Sequence, residues 1–215
     1  MPRQVDRTAR LALVADAVVA LAVDHGFPAV TIRAVAERIG ASTSAVTHYV
    51  GGREDMLRIA IRREVDARRA QGEAAVGDAR GMAALRALLE WAALVPDERT
   101  QRFWLALVVG SRDDPVVRAE LDAFNIWWDA LLRNLLADTA IADHDTAVDV
   151  LDVLADGLVL TGFDEGRPWS AARRSRVLTV VWQALAQAER TGRPLGSAAN
   201  APRPPRSARS AHRAT

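Results

Sequence analysis

Apolar residues along this chain recur three and four positions apart and never alternate over a stretch long enough for a strand, so helices are the regular structure available to it. From about Arg7 to His25, the positions Leu11, Val14, Val18 and Leu21 keep that spacing, and Gly26 and Pro28 end the segment. Thr31 offers a hydroxyl N-cap for a short helix through Ile39, with Ile32, Val35, Ala36 and Ile39 turned inward and Glu37 and Arg38 left to solvent. Gly40 closes that helix. Ser42 caps the next, expected to run to about Tyr49, and Gly51 and Gly52 break the chain before a helix from about Arg53. Further helices are expected at about 80–95, 97–111, 115–137, 145–163 and 170–190, with Pro96, Pro115 and Pro168 marking boundaries. Asp113, Asp114 and Pro115 read as a helix start, because proline is tolerated in a first turn and carboxylates favour the positive end of the helix dipole. The expected fold class is all-α.

Half of the 215 residues are apolar, enough for a substantial core. Asp, Arg or Gly interrupts every apolar stretch before the roughly 18 residues that a membrane span needs, and the N-terminus lacks signal-peptide order, so a soluble, cytoplasmic protein with no membrane partner is expected. The absence of cysteine excludes a disulfide framework, a thiolate metal site and a cysteine nucleophile. The net charge of +1 hides an uneven distribution: residues 1–69 carry 11 Arg against 8 acids, residues 70–189 carry 11 against 19, and residues 190–215 carry 6 Arg and no acid. Basic ends on an acidic middle suit a chain whose ends meet a polyanion. Every basic residue is arginine rather than lysine. The tail at 193–215, rich in Pro, Ser, Ala and Arg, has too little apolar content to fold and is expected to be disordered.

The stretch from Thr31 to Met56 places two short helices on either side of Gly40 and Ala41, which is helix-turn-helix spacing. In such a unit the first helix braces the second, whose N-terminal side chains enter the major groove. Thr43, Ser44 and Thr47 offer hydroxyls for phosphates or bases, Ala45 suits a thymine methyl, Val46 braces the core, and His48 and Tyr49 reach towards the backbone. Thr31, Arg33, Ser42 and Arg53 complete the expected DNA-binding set, with Arg33 and Arg53 as phosphate clamps flanking the groove.

Gly26-Phe27, Thr31-Ile32-Arg33, Val35-Ala36, Ile39-Gly40-Ala41-Ser42, His48-Tyr49 and Arg53-Glu54-Asp55-Met56-Leu57 together resemble the N-terminal domain of the TetR family of transcriptional regulators. The resemblance implies that the second and third helices form the reading head on double-stranded, palindromic operator DNA, with phosphate contacts near the end of the recognition helix and the start of the fourth. Within it, Ser44 stands where many relatives carry glycine or proline, Thr47 where an aromatic phosphate ligand is usual, Val50 where phenylalanine is common, and Arg53 where lysine is typical. The segment from Phe103 to Leu185 resembles the helical C-terminal domain of the BetI type in that family. This implies a dimer built from the helices at about 145–163 and 170–190 and a small-molecule effector in the body. Val148, Leu151, Leu154 and Leu158 form one apolar stripe for that interface, and Val177, Val180, Val181, Ala184, Leu185 and Ala188 another.

The organisation expected is therefore a DNA-binding domain at 1–52, a ligand-binding and dimerisation domain at 53–192, and the tail. All six tryptophans lie in the body. Phe103, Trp104, Trp127, Trp128, Leu154 and Leu158 are the candidate ligand contacts, and tryptophan faces attract cations. Regulators of the BetI type are choline-responsive, but choline itself is not carried over by the resemblance, because the acidic and aromatic pattern is not distinctive. Large aromatics at helical spacing also serve as core. Asp143-His144-Asp145 reads as a helix cap rather than a metal cluster. No cofactor motif, metal set or nucleophile stands out. An enzyme using Asp152, Asp156, Asp164 and Glu165 is the weak competitor, since carboxylates four apart are ordinary on solvated helices. A ligand-independent architectural or protein-interaction module is the other.

Overall fold

The computed structural model describes residues 2–95, 97–163 and 169–192. Among them the regular structure is helical throughout: α1 (Pro2–His25), α2 (Ile32–Arg38), α3 (Thr43–Thr47), α4 (Arg53–Val76), α5 (Gly81–Leu94), α6 (Glu98–Gly110), α7 (Pro115–Ala137), α8 (His144–Leu160) and α9 (Ala171–Thr191). Single 3-10 turns at Phe27–Ala29 and Thr161–Phe163 finish the connections after α1 and α8. The disordered-tail expectation at 193–215, together with Asp164, Glu165 and the Pro96 and Pro168 boundaries, lies outside the described residues.

Side chains set the helix starts as the sequence suggests. Thr31, Ser42, Asp97, Asp114, Asp143 and Ser170 each accept a hydrogen bond from a first-turn backbone amide, each worth about 1 kcal/mol. Asp143 also takes the Thr146 hydroxyl at 2.8 Å, so the Asp-His-Asp stretch is a helix start. Asp145 of the same stretch pairs with Arg133 at 2.6 Å. Two boundaries move. Helix α1 begins at Pro2, a residue compatible with a first turn, rather than near Arg7. Helix α3 stops at Thr47 because the chain tightens there, the Tyr49 amide donating to the Val46 carbonyl at 2.9 Å.

Two cores form; α7 has buried residues in both, and α4, buried in the first, packs its half-buried end at Ala75 and Val76 against the second. The first packs Val14, Val18 and Ala22 of α1 with Phe27, Val35, Val46, the first half of α4 (Met56, Leu57, Ala60, Ile61, Val65), Phe103 and Leu107 of α6, and Val116 and Val117 of α7. The second joins α5 (Leu85, Leu88, Leu89), the later part of α7 (Trp128, Leu132, Leu136), α8 (Val148, Leu151, Leu158) and α9 (Leu178, Trp182, Leu185). The seam between them therefore crosses α4 beyond Val65, some way past the sequence division at residue 52. The head shares its core with α4, α6 and α7.

One stripe assignment needs correcting. Val148, Leu151 and Leu158 of α8 and Leu185 of α9 are buried within this chain's own second core, and Ala188 of α9 is buried as well. The apolar side chains left in solvent are Val150, Val153 and Leu160 on α8 and Val180 on α9. Both helices carry apolar residues on two faces, so periodicity alone did not say which face the rest of the chain would cover. No described helix is long and apolar enough to cross a membrane.

Candidate nucleic-acid interface

The reading head is assembled by local chemistry. Helix α2 ends as the Ala41 amide donates to the Ala36 carbonyl at 2.9 Å and Gly40 takes φ 65°, the left-handed turn that closes helices before a change of direction. That turn delivers Ser42, whose hydroxyl accepts from the Ala45 amide at 3.2 Å and starts α3. Val46 then buries completely in the first core, fixing which face of α3 looks outward.

That outward face carries Thr43, Ser44, Ala45, Thr47 and His48, all exposed. Thr43 keeps a free hydroxyl. Ser44 shares a 2.9 Å hydrogen bond with Ser42, and the Thr47 hydroxyl donates to the Ser44 carbonyl at 3.3 Å. His48 stands edge-on to half-buried Tyr49, with ring centroids 5.1 Å apart. Thr31 accepts from the Ala34 amide at 3.0 Å. Arg33 is exposed on α2 and pairs with no described carboxylate, whereas Arg38 is held by Asp24 at 3.0 Å. The set expected from sequence is thus brought onto one end of the molecule, with Thr31 and Ser42 spending their hydroxyls on caps.

Arg53 departs from its expected place. Its guanidinium turns inward, donating to the Val30 carbonyl at 2.8 Å, to the Phe27 carbonyl at 3.0 Å and to Asp114 at 2.7 Å. Asp114 simultaneously caps α7 through the Val116 and Val117 amides at 3.0 and 3.3 Å. Burial alone would raise the Asp114 carboxyl, but hydrogen bonds from Arg53, Val117 and Val116 and the Arg53 charge hold it below the ordinary carboxylate range. The Phe27 ring fits against Gly110, where a β-carbon would stand 2.7 Å from the ring. Sequence reading missed Asp114 and Gly110 as partners of the head. The only local signal was Asp114 beside Pro115, which marks a helix start and not its distant partner.

In the body, the six candidate ligand contacts separate into two groups. Phe103, Trp104, Phe124 and Trp127 form a continuous row of rings with centroids 4.5–6.3 Å apart. Trp128 lies beside that row, its ring 6.3 Å from Trp127 and its indole donating to Asp152 at 2.6 Å. Phe103 and Trp128 are buried, and Trp104 and Trp127 half-buried. Burial raises the Asp152 carboxyl above its ordinary value even though the Trp128 bond opposes this. Leu154 and Leu158 are elsewhere, lining an apolar groove of about 570 Å³ between α8 and α9 with Val150, Val153, Val177 and Val181.

Comparison with known proteins gives three findings. Residues 14–59 match the family described as bacterial regulatory proteins, tetR family. Over 179 residues the chain is 32% identical to the HTH-type transcriptional regulator BetI of Burkholderia mallei (strain NCTC 10229), covering 78% of this chain and 89% of that protein. Two crystal structures share the fold. One, described as a transcriptional regulator from Pseudomonas aeruginosa PAO1, has a TM-score of 0.74 at 22% identity over 90% of this chain and 96% of that one. The other, from Saccharomonospora viridis in complex with choline, has a TM-score of 0.71 at 19% identity over 82% and 96%.

Proposed function

The chain belongs to the TetR family of DNA-binding transcriptional regulators, and from that premise we propose that it works as a cytoplasmic homodimeric repressor released from a palindromic operator by a small molecule. The observation that carries the reading is the exposed hydroxyl face of α3, held rigid by buried Val46 and the Ala41–Ala36 turn. Thr43, Ser44 and Ala45 meet base edges, Thr47, His48 and Tyr49 meet the backbone, and Arg33 supplies the phosphate charge. The head at residues 1–52 reads DNA, and residues 53–192 dimerise and receive the effector.

The apolar residues left exposed on α8 and α9 support the dimer. Val153 is 74% exposed and Val180 65%, and a second copy of the same two helices would cover both and set two heads on one operator. The ring row Trp104–Phe124–Trp127, with Trp128 beside it, supports an effector in the body, where it would bear on α4 and α6 and through them on the head. The choline in the Saccharomonospora viridis structure supports a body of this fold taking a small molecule. At that identity the likeness does not carry a ligand class to this chain.

Selection of bound fragments from genomic DNA with purified protein tests the proposal. The expected result is a short inverted repeat occupied by two chains and lost on replacing Val153 with glutamate. Fragments sharing no motif, or equal binding by that variant, contradict it.

A further inference from the structure

Helix α4 buries a stripe at Leu57, Ile61, Val65, Arg68 and Gly72, each three or four residues from the last. A charged residue occupies one of those core positions. Six arginines lie on α4, and five have a carboxylate within 4.0 Å: Arg53 with Asp114, Arg58 and Arg62 with Glu120, Arg63 with Asp16, and Arg69 with Asp66. The exception is Arg68, the most buried of them at 9% exposed. Its guanidinium carbon lies over Trp91, 3.7 Å from the ring centroid, and the group makes one long hydrogen bond, to the Ala92 carbonyl at 3.4 Å. Burial lowers its pKa to about 10, leaving it a cation at neutral pH.

A charge taken out of water costs several kcal/mol unless a counter-charge meets it, and a stack on one indole and a long bond to one carbonyl offset only part of that. The surroundings say what kind of counter-charge fits. A β-carbon at Gly72 would stand 3.0 Å from Trp91 and 3.5 Å from Trp127, so the two indoles meet over that glycine beside Arg68. Trp127, half-buried, also forms a wall of an open groove of about 600 Å³ along α7. Arg69, the neighbouring cation, lies 5.6 Å from the Trp127 ring centroid with its Nε buried and unbonded, while its terminal nitrogens donate to the Ala123 carbonyl at 2.7 Å and pair with Asp66 at 3.8 Å. One uncompensated positive charge against flat apolar walls suits a monoanion with an apolar body.

We propose that Arg68 anchors the effector of this body, and that the effector is an apolar carboxylate whose hydrocarbon part lies against Trp91 and Trp127. This deepens the reading of the body as an effector domain and rests on it. A structural alternative exists: Arg68 caps the C-terminal carbonyls of α5, where a cation suits the helix dipole. The two make opposite forecasts for Arg68→Met, which keeps the length and removes the charge.

The test uses the full chain without DNA. Sodium benzoate, phenylacetate and octanoate, each beside the alcohol of the same skeleton, are titrated while tryptophan fluorescence and heat are recorded. The anchor predicts saturable binding of at least one carboxylate, about 10-fold or more tighter than its alcohol, and a similar loss in Arg68→Met. It also predicts a ligand-free Tm for that variant equal to or above the parent's, as expected when a buried unpaired charge becomes a hydrocarbon. Saturation by none of the three acids overturns the proposal, as does equal binding of acid and alcohol or unchanged carboxylate binding by Arg68→Met. The acid–alcohol comparison is made on the parent chain, so it decides the matter even where the variant fails to fold. Operator binding in the same preparation is scored separately, so the regulator reading and the anion site can fail independently.

Discussion

The proposed reading head predicts a division of labour between Arg33 and Thr43. Changing Arg33, an exposed cation on α2, to alanine is predicted to lower affinity for every sequence and to reduce the slope of log affinity against log salt by about 1. Thr43→Ala instead alters preference at particular base pairs, by about 1–3 kcal/mol at each. Binding titrations on an operator and its single-base variants at two salt concentrations separate them, and a uniform effect of Thr43→Ala across sequences contradicts the division. Gly110→Ala is predicted to destabilise the fold by about 1–3 kcal/mol in denaturant unfolding, since its β-carbon would enter the Phe27 ring. Residue roles were legible where they are local. Thr31, Ser42 and Asp143 act on amides three residues away, so spacing revealed them as caps. Arg53 was misplaced because its carboxylate, Asp114, is 61 residues distant and no local pattern announces the pairing.

Helix α7 is tied to the head through its first turn, and Asp114 is the knot. Asp114→Asn preserves a capping oxygen but removes the charge facing Arg53, and a loss of about 1–2 kcal/mol at neutral pH is expected. Because the folded-state pKa of Asp114 lies below its unfolded value, its contribution is complete above the unfolded value of about 4 and disappears as pH falls through the folded one. The stability gap between parent and variant should therefore close on acidification below about pH 4. A gap constant from pH 7 to pH 3 would refute the linkage. At the same scale, helix existence and boundaries were readable from apolar spacing and proline, most ends falling within two residues. Which face of α8 turns inward was not. Both Val148-Leu151-Leu158 and Val150-Val153-Leu160 are apolar, and only packing against α5 and α7 chose the first set for this chain's core.

Across the whole molecule, α4 and α7 each pack against both cores, so the proposed effector would reach the head through helices packed at both ends. Contacts at the near end are Arg53 with Asp114 and Phe27 against Gly110, and at the far end the ring row and Trp128 with Asp152. A two-domain division at residue 52 is natural in the sequence, because Gly51 and Gly52 interrupt the helical pattern. Three-dimensional packing adds that the head borrows Phe103, Leu107, Val116 and Val117 to complete its core. An isolated fragment of residues 1–52 is accordingly predicted not to hold a cooperative fold, and a broad, non-sigmoidal thermal transition by circular dichroism is expected. The measurement that bears most directly on the central claim is the stoichiometry and salt dependence of the full chain on its selected operator. Two chains per inverted repeat, with affinity falling steeply as salt rises and far exceeding that for the scrambled site, is the predicted result. One chain per site, or equal affinity for the scrambled sequence, would contradict it.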